Sequence, residues 1–214
     1  MLTSKKNNDT VEVSVASERA EAIGGVLIAF FAALMAIAQM VNGELEEEMM
    51  IAHNRVVNYS SWYQSKSIKE SLKESELNYL TTLLESGMVL DEKKPIIHNK
   101  INSVKRNIEK YALEKTEILL GSKQVGEAKW VQDLDGEMGK ITGVKEWEVL
   151  ANEYNIATKK FDLAMLFFQI SIVLGAVCII IYDNPKLQKT FIILMVLSGI
   201  TGVIMSLYGY SFAP

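Results

Sequence analysis

The chain has one cysteine and two histidines in 214 residues, and each scarcity removes a class of explanation. A single cysteine, Cys178, permits no intramolecular disulfide, so cysteine usage assigns no compartment. The histidines, His53 and His98, stand in no H-E-x-x-H motif and at no paired-ligand spacing, so neither points to a metal site. No G-x-S-x-G is present to seat a nucleophilic serine. Clustered basic charge is missing too. Between Gly43 and Asp162 stand 17 Lys/Arg against 21 Asp/Glu, which accounts for the whole net charge of −4. So mixed and mildly acidic a stretch argues against nucleic acid as a partner.

The most informative absence is of charge itself. Ala22 to Val41, Leu163 to Tyr182 and Phe191 to Tyr208 contain no Asp, Glu, Lys or Arg. Each run approaches the ~20 residues with which a helix crosses a ~30 Å hydrocarbon layer. The mean hydropathy of only +0.14 hides them, because the polar stretch between the first and second averages them out. The fold class expected is therefore an all-α membrane protein with three transmembrane helices. Its order is a disordered polar tail (1–21), a first span (22–41), a helical, coiled-coil-like stalk domain (42–162), a second span (163–182), a short loop (183–190), a third span (191–208) and a short tail (209–214). Ala36-Ile37-Ala38 imitates a signal-peptidase site, but the long polar segment and long apolar run before it favour an uncleaved signal anchor. Lys5, Lys6, Arg19, Lys186 and Lys189 flank the spans on one side, while Glu44, Glu46, Glu47 and Glu48 open the other. The positive-inside rule then places the amino terminus in the cytoplasm and exports the central domain, with Lys159 and Lys160 as dissenting charges.

Within the central stretch, Leu45, Met49, Ala52, Val56, Tyr59 and Tyr63 recur at helical spacing, as do Leu77, Leu80 and Leu84. Gly87 and the Asp91–Pro95 run mark a turn. A second helix follows, in which Ile97, Ile101, Val104, Ile108, Tyr111, Lys115 and Ile118 alternate steps of four and three, the pattern of a packed seam. Gly121 stands at its C-cap. Gly121 to Gly143 reads as a glycine-rich loop with one helical turn near Ala128 to Leu134, and a third helix runs from Val144 into the second span. So slender a stalk has little core of its own, so its stripes call for partner subunits.

Two loop motifs imitate ligand sites. Gly139-Lys140-Ile141-Thr142 lacks the upstream glycine spacing and the preceding strand of a phosphate loop, and Ile141 stands in the Ser/Thr place. Asp133-Leu134-Asp135-Gly136-Glu137 resembles part of a calcium loop, but Val131 and Thr142 occupy two ligand positions. No cofactor or metal is expected. The candidate partner surface is the helix face carrying Tyr59, Trp62, Tyr63, Gln64, Lys66, Lys69 and Lys73. Trp62 and Lys66, four residues apart, suit a cation–π contact. The plainer reading of the same face is lysine stems covering aromatic rings.

In the spans, Gly25, Ala29 and Ala33, Ala32 and Ala36, Ser171 and Gly175, and Ser198, Gly202 and Ser206 repeat small residues at spacings that let helices approach closely. Gln39 and Gln169 are placed to donate across a helix interface. No span holds an ionisable side chain, so a proton relay or voltage sensor finds no support.

Tyr63-Gln64-Ser65-Lys66-Ser67-Ile68-Lys69 resembles the core of an uncharacterised bacterial membrane-protein family, domain of unknown function 4337. That core reads Tyr-Gln-Ala-Lys-Ser, with Ser65 here in place of the usual Ala. Trp62 directly precedes the tyrosine, whereas the family sets its tryptophan nearer the place of Ser60. The resemblance implies one span before the core, two spans at the end of the chain and a bacterial origin, but no chemistry; the setting expected is the bacterial inner membrane. With no catalytic constellation, the function expected is a non-enzymatic membrane protein that self-associates and presents its helical domain to a protein partner. The alternative is a homo-oligomeric pore or effector, for which Ser198, Gly202 and Ser206 supply a small-residue face.

Overall fold

The computed structural model describes the backbone of residues 2–181 and 184–214, and side chains from Ser17 onward. Tyr182, the expected end of the second apolar run, and Asp183, the expected start of the short loop, lie outside these residues, as do the side chains of most of the expected tail. Ser17 to Glu21, also assigned to that tail, are helical.

Helix α1 runs Leu2–Glu85, 84 residues, followed by a 3₁₀ turn at Asp91–Lys93 and helix α2 at Lys94–Leu120. A single-turn helix α3, Ser122–Val125, and a second 3₁₀ turn, Glu127–Lys129, lead to a hairpin of β1, Asp133–Leu134, and β2, Glu137–Met138. Helices α4, Val144–Ile180, and α5, Pro185–Tyr210, complete the chain. The class is all-α, as the apolar and 3–4 patterns require, with α4 joining the expected third helix to the second apolar run.

Proline placement explains the uneven helix lengths. The first proline is Pro95, so nothing upstream removes a backbone donor from α1. Pro95 and Pro185 fall in the first turns of α2 and α5, where a missing N–H costs nothing. Asn184 caps α5 by accepting from the Leu187 N–H at 3.2 Å. Gly87, past the end of α1, and Gly121, at the C-cap of α2, have φ of 72° and 90°, a region that side chains disfavour.

The helices contribute to two compact units: residues 1–49 with 152–214, and residues 50–151. The first unit contains the apolar stretches. Three helices there are long and apolar enough to cross a membrane, and only 17–28% of each most apolar stretch is buried within the chain. Its core centres on Phe31, which stacks on Phe168 with ring centroids 6.4 Å apart and lies against Gly199. Phe168 in turn covers Gly202, and Gly175 admits Ile28 and Met195. Ser171 Oγ donates to the Met195 carbonyl at 2.7 Å, and Ser198 Oγ to that of Phe167 at 2.8 Å. The small residues of the second and third runs thus serve close packing.

In the first run the structure corrects the register. Gly25, Ala29 and Ala33 are exposed, and it is Gly24 that meets Cys178. The interhelical amide is also a different one: Gln39 and Gln169 face outward, whereas Gln188 is buried, accepting from Ser17 Oγ at 3.1 Å and donating to the Cys178 carbonyl at 3.4 Å.

In the second unit, α1 and α2 pack antiparallel, as their ion pairs show: Lys66 meets Glu114 at one end and Glu76 meets Lys100 at the other. The expected seam of α2 faces inward. Ile101, Val104 and Ile118 are buried, with Ile97, Ile108, Tyr111 and Lys115 half-buried.

Candidate interaction surface

The face of α1 from Tyr59 to Lys73 is where residue spacing gathers aromatic and basic groups, and the structure divides it. Tyr59 and Trp62 meet edge to face, with ring centroids 5.7 Å apart. Lys66, however, turns to α2 and sets its ammonium 2.7 Å from Glu114, which is only 3% exposed. A carboxylate so removed from water demands a cation, and that demand outweighs the modest attraction of the Trp62 ring four residues away. Tyr63 lies beneath Lys115, whose ammonium is 5.8 Å from the ring centroid and also pairs with Glu70.

Lys73 bonds Glu76 at 2.6 Å within α1, and Lys100 of α2 approaches the other oxygen of Glu76 at 3.3 Å. The hydrogen bond to Glu76 raises the Lys73 ammonium above its ordinary value. The bonds from Lys73 and Lys100 hold the Glu76 carboxyl below the usual range. Of the seven residues proposed for the surface, only Gln64 and Lys69 are fully exposed, and Lys69 forms no ion pair among the described residues. Tyr63 and Lys66 thus belong to a polar seam between two helices of one chain.

A second constellation, which sequence reasoning missed, organises residues 117–143. Glu117 is fully buried, and its carboxylate accepts from Ser122 Oγ at 2.7 Å, Val131 N–H at 2.8 Å and Gln132 N–H at 2.9 Å. Ser122 pairs with Ile141 twice, donating its N–H to the Ile141 carbonyl at 2.8 Å and accepting the Ile141 N–H on Oγ at 3.0 Å. Trp130 Nε1–H closes the arrangement on the Ser122 carbonyl at 2.8 Å, and the Trp130 ring lies against Gly139. Gly121 and Gly143 come so close that a β-carbon on either would strike the other's backbone. The glycine-rich stretch is thus a fastened loop, and the helical turn expected near Ala128 to Leu134 ends at Lys129, with Asp133–Leu134 forming β1 instead. No local pattern announces it, since the two backbone donors to Glu117 lie 14 and 15 residues away.

The acidic Asp133–Glu137 segment is the hairpin. Asp135 and Gly136 have φ of 54° and 85°, as a tight two-residue turn requires, and Asp133 Oδ1 accepts the Gly136 N–H at 2.6 Å. Asp-Gly at a hairpin turn accounts for these residues without a cation.

A family model described as a domain of unknown function matches residues 20–212, from within α1, which carries both the first apolar stretch and the Tyr63–Lys69 segment, to just past the end of α5. The chain belongs to the domain-of-unknown-function family 4337. No curated protein and no solved structure matches it. In this family-4337 chain the core Tyr63-Gln64-Ser65-Lys66-Ser67-Ile68-Lys69 holds α1 to α2 through Lys66 and Tyr63, while Gln64, Ser65, Ile68 and Lys69 face outward.

Proposed function

We propose that this chain is a non-enzymatic membrane protein of a bacterial inner membrane, which self-associates and presents its second unit to a protein partner. In this reading the three apolar helices cross the bilayer, the amino terminus is cytoplasmic and residues 50–151 are exported. One observation carries the self-association: Val57, Ile68, Leu72 and Tyr79 are 62–67% exposed and share one face of α1. Their spacings of 11, 4 and 7 residues keep them within a narrow sector of a helix with 3.6 residues per turn. Small residues, Ser61, Ser65 and Ser75, lie among them. Exposed apolar residues aligned in this way favour a helical partner, and an identical helix is the simplest one. The pore alternative draws no support from α5, where Ser198 and Gly202 are engaged in packing on α4 and Ser206 bonds its own helix at the Gly202 carbonyl.

The test is cysteine crosslinking of the full chain in native membranes, with Cys178 replaced by Ser. Leu72→Cys should give a crosslinked dimer, and mass measurement in detergent should return a multiple of the monomer. Lys105→Cys, exposed on α2, is the control. Equal crosslinking at both positions, or a monomeric mass, would reject self-association through this face. Orientation is read by labelling Ser75→Cys and Lys186→Cys with a membrane-impermeant reagent in spheroplasts. Labelling at Ser75→Cys alone supports export of the second unit, and labelling at Lys186→Cys alone reverses the topology.

A further inference from the structure

We propose that the groove between α3 and the first turns of α4 binds an anionic amphiphile: a phosphate or carboxylate head joined to a short apolar body. The groove holds about 850 Å³, within the range of small-molecule sites. Its lining brings Lys123, Lys140 and Lys145 together with the apolar residues Val149 and Leu150, while Ile141, also in the lining, is buried. Lys140 pairs with Glu137, but Lys123 and Lys145 form no ion pair among the described residues. Glu146 is the one carboxylate in the lining, and its Oε2 accepts the Gly143 N–H at 3.0 Å. With Lys140 matched by Glu137, the two unpaired ammonium groups of Lys123 and Lys145 stand against the one carboxylate of Glu146, a local excess of positive charge in a chain whose net charge is −4.

The scaffold behind the groove is the fastened loop. The two bonds between Ser122 and Ile141, together with Trp130 against Gly139, hold the backbone that carries Lys123 opposite the backbone that carries Lys140. The cations therefore stand on a framework already ordered, which lowers the entropic cost of binding. The same bonds decide the mode of recognition. The Ile141 N–H is taken by Ser122 Oγ, so the Gly139–Thr142 segment does not cradle a phosphate by its backbone in the manner of a phosphate loop. Ammonium groups would hold the head as point charges, and the apolar wall of Val149, which is 59% exposed, would cover the body. An inorganic anion would leave that wall in water, and a neutral amphiphile would leave the lysines unpaired. Only a ligand with both parts uses the whole lining.

The experiment takes the full chain in phosphatidylcholine nanodiscs and titrates it with hexyl phosphate, hexyl glucoside and inorganic phosphate. It reads heat of binding and the protection of individual lysines from an amine-reactive label. Hexyl phosphate should bind saturably and protect Lys123 and Lys145. The Lys123→Gln/Lys145→Gln variant should bind about tenfold more weakly, as expected for two partly exposed charge contacts. A Lys69→Gln/Lys105→Gln variant removes equal charge elsewhere and should bind like the parent. The proposal is overturned if hexyl glucoside or inorganic phosphate protects the same lysines equally well, if the two double variants lose affinity alike, or if no saturable binding occurs. The readout is independent of oligomeric state, so its failure and the failure of the self-association reading are separable.

Discussion

Lys66 of α1 and Glu114 of α2 stand 2.7 Å apart in the seam of the second unit, 48 residues apart in the chain. Glu114 is 3% exposed, and its other cation, Lys110, is 3.8 Å away. Removing Lys66 therefore strands a buried carboxylate. Lys66→Met should destabilise the unit by about 3 kcal/mol, whereas Lys69→Met, three residues on and exposed, should change stability by less than about 0.5 kcal/mol. The Lys66→Met/Glu114→Leu pair should recover most of the loss, because an apolar pair carries no desolvation cost. Thermal unfolding of the four proteins in one detergent makes the comparison; equal midpoints for the two single variants would contradict it.

Glu117 sets the loop. Glu117→Gln keeps the volume, but with its carbonyl on the Val131 and Gln132 N–H groups its NH₂ faces Ser122 Oγ, whose hydroxyl loses its acceptor, and a neutral carbonyl replaces a carboxylate oxygen. A cost of about 2–3 kcal/mol is expected. Amide exchange should quicken at Val131 and Gln132 while Ile101 and Val104, in the middle of α2, stay protected. Unchanged exchange at Val131 and Gln132 would show that the loop holds without the carboxylate.

Glycines of the first unit should divide by packing. A β-carbon at Gly199 would intrude on the Phe31 ring, and one at Gly202 would lie 2.8 Å from the Phe168 ring. Gly199→Ala should cost about 1–3 kcal/mol through displacement of Phe31. Gly25→Ala meets nothing within 4 Å and should be neutral or slightly stabilising within one chain. Reversed effects on the detergent melting temperature would place the interface on the other face of α1.

The acid side should expose Glu76. Its carboxyl is held below the ordinary 4.5 by Lys73 and Lys100, so its folded pKa is depressed relative to the unfolded chain. The stability it contributes is then fully present above the unfolded value and is lost as pH falls through the folded one. Between about pH 7 and about pH 3.5, Glu76→Gln should lose less thermal stability than the parent, because it has already given up this contribution. An identical loss in both would mean that the ion pairs of Glu76 do not persist in solution.

Composition and short-period patterning were enough to fix the fold class and its helices. Charge-free runs of the right length made three apolar helices, the steps of four and three in Ile97 to Ile118 made an inward seam, and Gly121 marked the end of α2. These signals are local, since each helix writes its own 3.6-residue period into neighbouring positions. Rotation about a helix axis is another matter. A shift of one residue turns a face by about 100°, so Gly24 and Gly25 could not be told apart before the neighbouring helices were in place. That Lys66 answers Glu114, that Glu117 gathers donors from across a loop, and that Lys123, Lys140 and Lys145 line one groove followed only from the packing of distant segments. Each of those relationships joins residues that no periodicity connects, and each follows from the need of a charge or a polar group to find its partner wherever the packed chain brings one.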